Sequence, residues 1–223
     1  MTTSSLSTTI PVTTPNDPHH LTSLRIALGV LAWWTIAWSA VALGLLEQAL
    51  PPLIPLLIMG PVVVNIVLFA RSPQLRRWLA KTDERWLLLI HLVRIPFGVS
   101  FLWHLSQGTP GIPELFAVRS GYGDLAAGVL AALLLLPIDL GNLRQRLGLP
   151  LFSIVGLGDM MLVVATAQWF LFTEGFDAMG LMRQHPFHML PVFIVPMILT
   201  CHLLLIAKLM GVGQPNTTTS SKS

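Results

Sequence analysis

The sequence predicts an all-α membrane protein, a polytopic bundle of about six transmembrane helices. Of its 223 residues, 53% are hydrophobic and only 10% are charged, whereas a soluble domain carries about 25% charged residues. Charged side chains rarely leave water without a partner, so a soluble globule of this length would need a far more polar surface. The composition therefore excludes an ordinary soluble fold.

Six apolar stretches are long enough to cross a bilayer. Short polar or Pro/Gly-containing links, of a length that joins antiparallel helices, separate them. The second stretch is the shortest and carries several prolines, so a re-entrant hairpin stays open there as an alternative to a full crossing. The predicted spans are residues 24–46, 53–70, 86–107, 121–140, 150–173 and 187–210.

These spans form one transmembrane domain, residues 24–210, and leave no room for a soluble catalytic domain. Residues 1–23 and 211–223 are rich in Ser, Thr and Pro and are predicted to be disordered cytoplasmic tails. The first twenty residues contain no Lys or Arg, so they lack the basic stretch of a secretory signal, and neither end matches a lipidation motif.

The distribution of Lys and Arg predicts the orientation. With the N-terminus in the cytoplasm, ten basic residues lie on the cytoplasmic side, and only Arg119 and Arg183 lie outside. We expect the protein in the inner membrane of a cell. The positive-inside rule then predicts that both termini lie in the cytoplasm. The formal net charge of +3 thus has a topological cause, and we expect the lipid bilayer, not nucleic acid, as partner. The oligomeric state is not predicted.

Arg94, Asp159 and His202 are polar residues that fall at similar depths in three different spans. An unpaired charge at the bilayer centre costs at least ~2.5 kcal/mol, so we expect Arg94 to pair with Asp159 through its planar guanidinium. His202 would supply or accept a proton, and His91, one turn before Arg94, would join the cluster. The cluster either serves a proton or small anion or only fastens helices together.

A second, outer polar layer is predicted from His104, Asp124 and His188. Asp124 falls about three residues inside the outer boundary of its predicted span, where its carboxylate would cap the start of a helix. Glycines in the same parts of the chain are interpreted as positions that let helices approach closely. They are Gly121, Gly123, Gly128, Gly156 and Gly158.

The histidines raise a haem hypothesis. His91 and His104 share one span and His188 and His202 another, so two facing pairs would ligate two haems. At 100° per residue, however, His104 lies about 140° around the helix from His91, which argues against this arrangement. The His185 and His188 pair lacks a nearby thiol or carboxylate, so no metal site is predicted. No cofactor and no enzyme motif are therefore predicted.

Four stretches, HLVRIPFGVSFLWHL, GYGDLAAGVLAALL, IVGLGDMMLVV and MLPVFIVPMILTCHLLLIAKL, resemble a group of uncharacterised bacterial multispan membrane proteins. The resemblance covers roughly residues 86–210 and implies a helical membrane fold and a bacterial inner-membrane location, without an established activity. Gly98 and Val99 stand where other members have an acidic residue after the arginine. The matching positions are Arg94, Pro96, Asp124, Pro191, Pro196 and His202.

Three classes of function stay open at this point. The favoured class is a small transporter-like protein whose buried Arg/Asp/His site handles a proton or a small anion. The alternative is a structural or assembly subunit of the membrane that performs no chemistry, in which only the pairing of the charges matters. A b-type haem redox protein is the class that helical phase favours least.

Overall fold

The structure, a computed structural model, describes residues 18–46, 53–137 and 141–213. Within them, six helices are long and apolar enough to cross a membrane, which confirms the prediction of an all-α membrane bundle. A short amphipathic helix, α3, follows the second span. The helices are α1 (Pro18–Ala42), α2 (Leu53–Arg71), α3 (Pro73–Lys81), α4 (Glu84–Ser106), α5 (Glu114–Leu135), α6 (Arg144–Thr173) and α7 (Leu190–Leu209).

Three predicted boundaries were wrong. Residues 18–23 belong to α1 and not to a tail, whereas residues 1–17 and 214–223 lie outside the described residues. Helix α6 begins before residue 150, with a π-helical turn at its start. Helix α5 begins at Glu114 instead of residue 121. The sequence had placed Arg119 in a loop because of its charge, but its guanidinium donates to Thr166 Oγ1 on α6 at 3.1 Å.

Helix α2 is one helix of 19 residues and contains Pro61. Its length and composition suffice for a full membrane span. This geometry favours the full crossing over the re-entrant hairpin that the prolines had left open. Helix α2 packs on α7, where the Asn65 side-chain amide donates to Thr200 Oγ1 at 3.2 Å.

Helices α4, α5, α6 and α7 form the core of the bundle, with α5 between α4 and α6. Helices α4 and α5 cross at glycines. A Cβ atom on Gly98 would lie only 2.7 Å from the Gly121 carbonyl oxygen, and one on Gly121 would lie 2.5 Å from Leu102 Cγ. The two backbones can therefore approach each other only because these residues have no side chain.

Prolines interrupt the regular geometry of α4 and α7. Because Pro196 has no N–H, the Val192 carbonyl loses its helical donor. The Trp33 indole N–H of α1 donates to this carbonyl at 3.2 Å, and Val192 lies within the π-helical stretch that opens α7. In α4, residues 90–93 form a 3₁₀ turn just before Pro96. This irregular turn carries His91 and leads directly into Arg94.

Candidate functional site

Arg94 lies at the centre of the bundle, with only 1% of its surface exposed. Its Nε–H donates to Asp124 Oδ1 on α5 at 2.7 Å, and its Nη2 group donates to Asp159 Oδ2 on α6. Its Nη1 group donates to the Gly156 carbonyl, also on α6, at 3.2 Å. The expected pairing of Arg94 with Asp159 is therefore present, and one guanidinium connects three helices.

Asp124 does not belong to an outer layer and does not cap a helix. It lies in the interior of α5, is 6% exposed, and forms an ion pair with Arg94. The prediction failed because this helix was expected to begin at residue 121, so that Asp124 would lie only three residues from its N-terminal end. With the helix beginning at Glu114, the same residue lies deep enough to reach Arg94.

His91 and His202 meet on the inner side of this cluster. Both are fully buried, and their ring centroids are 4.2 Å apart. Phe152 contacts both rings, stacking on His202 at 5.0 Å and meeting His91 edge-on at 4.9 Å. None of the four ring nitrogens has a hydrogen-bond partner among the residues that the structure describes. Buried imidazoles without partners are costly, so these two rings retain the capacity to bind a proton or a water molecule.

Glycines on α5 and α6 make room for the polar cluster. A Cβ atom at Gly156 would lie 2.8 Å from His202 Nε2 and 3.6 Å from Arg94 Nη1. A Cβ atom at Gly123 would overlap the Asp159 carboxylate. His202 thus borders the arginine across Gly156, as its depth in the sequence had suggested. Gly158 differs from the others, because a Cβ there would meet nothing within 4 Å, so its predicted packing role was wrong.

The remaining residues of the predicted outer layer do not join the cluster. His104 Nδ1 lies 3.1 Å from Thr109 Oγ1 near the end of α4. His188 precedes α7, with its ring 6.1 Å from that of Trp38 on α1. The pKa of His188 is lowered, mainly by burial. A hydrogen bond with the Gln184 backbone opposes this shift, and the neighbouring His185 adds to it. We find no arrangement among these described residues that unites them in one site.

The contact between His91 and His202 also bears on the haem hypothesis. Imidazoles that ligate one haem iron from opposite faces must admit the porphyrin between them. The separation of 4.2 Å between these two ring centroids leaves no such space. His91 of α4 and His202 of α7 therefore meet each other directly, beside Arg94.

An apolar cavity extends from the outer connections of the bundle down to the cluster. Its volume is about 100 Å³, and its walls come from α2, α4, α5, α6, α7 and the 3₁₀ segment Phe176–Arg183. Four of its lining residues are polar and the others are apolar. Arg94 and Asp124 lie at the inner end, and Gln168 and Arg183 line the outer part. No sequence pattern predicted this cavity, because the residues of its walls look like ordinary lipid-facing or core positions.

The comparisons with known proteins identify a family without an assigned activity. The family model described as "Domain of unknown function (DUF8737)" matches residues 51–210. The chain belongs to this family. The matched region of DUF8737 contains the buried cluster and all of its partners, and it begins after α1. No curated protein and no solved structure matches the chain.

Proposed function

We propose that the chain is a small transporter-like membrane protein whose buried cluster takes up and releases a proton. The observation that carries the proposal is the charge balance inside the bundle. One arginine lies between two carboxylates, those of Asp124 and Asp159. With both carboxylates ionised, the three groups hold one net negative charge in a region where an uncompensated charge is costly. A bound proton cancels that excess.

The same geometry disfavours the small anion that the sequence had left open. Each of the three guanidinium nitrogens of Arg94 already donates to a protein oxygen, and the side chain is 1% exposed. An anion placed beside this buried guanidinium would raise the net negative charge of the cluster further. A proton cancels that charge instead.

His91 and His202 support proton handling. Their rings lie beside the cluster, and their nitrogens have no partners. Imidazole is the side chain best suited to exchange protons near neutral pH. In this proposal, the proton can reside on either carboxylate or on either of the two neighbouring rings.

The test is infrared spectroscopy of the purified chain over a series of pH values, read at the C=O stretch of protonated carboxylic acids. We expect a band from a buried acid that titrates reversibly and disappears in Asp124→Asn or Asp159→Asn. Glu114→Gln, which changes an exposed carboxyl group on the same helix α5, is the matched control and should leave the band unchanged.

The same spectra separate this proposal from the structural alternative. A subunit in which the charges only fasten helices would keep both carboxylates ionised throughout the pH series. The absence of a titrating acid band, or a band that survives both Asn variants, would therefore overturn proton handling. The ion pairs would then be assigned to stabilising the contact of α4 with α5 and α6.

We further propose that the protein lies in a bacterial inner membrane with both termini in the cytoplasm. This orientation follows from the excess of Lys and Arg on the side of the membrane where the N-terminus lies. Glu114 and Gln74 are exposed at opposite ends of the bundle. In a Cys201→Ala background, we expect Glu114→Cys but not Gln74→Cys to react with an impermeant maleimide in intact cells. The opposite labelling pattern would reverse the orientation.

A further inference from the structure

The apolar cavity ends on a hydrogen-bond acceptor. Asp124 lines its inner end and retains 6% exposure, whereas Asp159 does not line it. An ionised carboxylate only accepts hydrogen bonds. Arg94, the other polar residue at this end, is 1% exposed, and each of its three nitrogens donates one hydrogen bond to protein. The Asp124 carboxylate is therefore the more accessible of the two groups, and with both carboxylates ionised the cluster that a molecule in the cavity meets carries one net negative charge.

The walls and the size of the cavity restrict the body of such a molecule. Apart from its four polar residues, the cavity is lined by Ile, Val, Leu, Met, Phe, Ala and Pro side chains. Its volume of about 100 Å³ is somewhat below the roughly 150 Å³ of an apolar cavity known to bind benzene in another protein. A short branched chain, smaller than a benzene ring with substituents, is the scale that fits.

The outer part of the cavity also offers an acceptor to a ligand that donates hydrogen bonds. The side-chain oxygen of Gln168, Oε1, is buried and has no hydrogen-bond partner. Arg183, the cation at this end, is already paired with Asp177 at 3.1 Å. The cavity thus presents a buried amide oxygen in its outer part and a carboxylate at its inner end, whereas each of its two cationic side chains is already paired with a carboxylate.

We propose that the cavity binds a small apolar amine in its protonated form, with the ammonium group on the Asp124 carboxylate and the apolar body against α6 and α7. This inference rests on the proposed function and names its ligand, because the ammonium group would replace the proton that otherwise cancels the excess negative charge of the cluster. Binding and protonation then compete for one carboxylate.

The experiment measures the binding of three probes that share one isobutyl group and differ in charge. They are isobutylamine, isobutanol and isovalerate, titrated into the full-length chain in detergent, with empty micelles as the blank. We expect the ammonium probe to bind at least about tenfold more tightly than the carboxylate probe, with the alcohol in between. Equal affinities, or tighter binding of the carboxylate, would overturn the proposal.

Two variants locate the binding. Asp124→Asn should abolish the preference for the ammonium probe and leave the alcohol bound, because Arg94 keeps its pair with Asp159. Glu114→Gln, the exposed control on α5, should keep the preference. Ala167→Phe should weaken all three probes, because Ala167 lines the cavity. A preference that survives in Asp124→Asn would contradict the assignment.

Melting temperatures show whether each variant is folded. If Asp124→Asn does not fold, the charge series on the native chain and the Ala167→Phe variant still decide the matter. The infrared titration needs no ligand. A chain that shows the titrating acid band but no charge preference among the probes would therefore overturn the amine and leave proton handling intact. A chain that prefers the ammonium probe but shows no titrating acid band would overturn proton handling alone.

Discussion

The two N-terminal spans and the four that follow differ in what their surfaces contact. In α4 to α7, 33% to 39% of the residues in each span are buried inside the bundle, whereas α1 and α2 bury 6% and 11%. Lipid tails are as apolar as leucine, so a span need not bury its apolar side chains against protein. Hydrophobicity alone therefore identifies a span, and charges and glycines indicate which spans form the core.

The contacts of α1 illustrate this difference. It is attached through individual polar groups, such as the Trp33 indole on Val192 and the Thr22 hydroxyl, which accepts from Gln74 at 2.8 Å. The DUF8737 match begins after α1 and includes the whole core. The cluster and its neighbours lie entirely on α4, α5, α6 and α7. Changes in the core should thus have larger effects than equivalent changes in α1.

The largest effect is expected for Arg94→Leu. The substitution leaves the buried carboxylate of Asp124 and the partly buried carboxylate of Asp159 without their partner, and breaking a buried ion pair from one side costs about 3–5 kcal/mol. We expect a loss of that size in the free energy of unfolding, measured by denaturant titration in mixed micelles. Adding Asp124→Asn and Asp159→Asn to the same chain should restore most of it.

Arg25→Leu is the matched control, because Arg25 is exposed on α1 and its loss should change the stability by less than about 0.5 kcal/mol. The pairing expected from the sequence implied that Arg94→Leu combined with Asp159→Leu would restore folding. The third partner changes this expectation, since Asp124 would stay unpaired. Full recovery in that double variant would show that Asp124 contributes little to the ion-pair network.

The pairing of Arg94 with Asp159 was predictable because a charge in lipid needs a partner and both residues lie at one depth. The role of Asp124 was missed for an identifiable reason. A single charge, Arg119, was interpreted as a loop residue, which displaced the start of α5. Its bond to Thr166 shows that a cation near a span end can stay helical when a neighbouring helix supplies an acceptor.

The contact of His91 with His202 and the apolar cavity were not predictable in the same way. Depth along a span follows from counting residues, but the rotation of each helix does not. The 3₁₀ turn at residues 90–93 contains His91, so a constant 100° per residue does not hold there. The cavity depends on how five helices pack together, and no local sequence pattern predicts that packing.

A smaller effect is expected when alanine replaces Gly98 at the crossing of α4 and α5. The new Cβ would lie 2.7 Å from the Gly121 carbonyl oxygen and 3.0 Å from the Leu125 backbone nitrogen. Both neighbours are backbone atoms, which cannot move aside as the end of a flexible side chain would. The two helices must separate, and we expect Gly98→Ala to lower the free energy of unfolding by about 1–3 kcal/mol.

Gly29→Ala is the matched substitution in α1, because a Cβ there would meet nothing within 4 Å. Alanine is the better helix former, so without a clash this change should leave the stability unaltered or raise it by about 0.5–1 kcal/mol. The two glycines should thus respond with opposite signs in the same unfolding assay. If Gly29→Ala destabilised the chain as much as Gly98→Ala, α1 would be packed as tightly as the core, and the distinction between the two regions would be wrong.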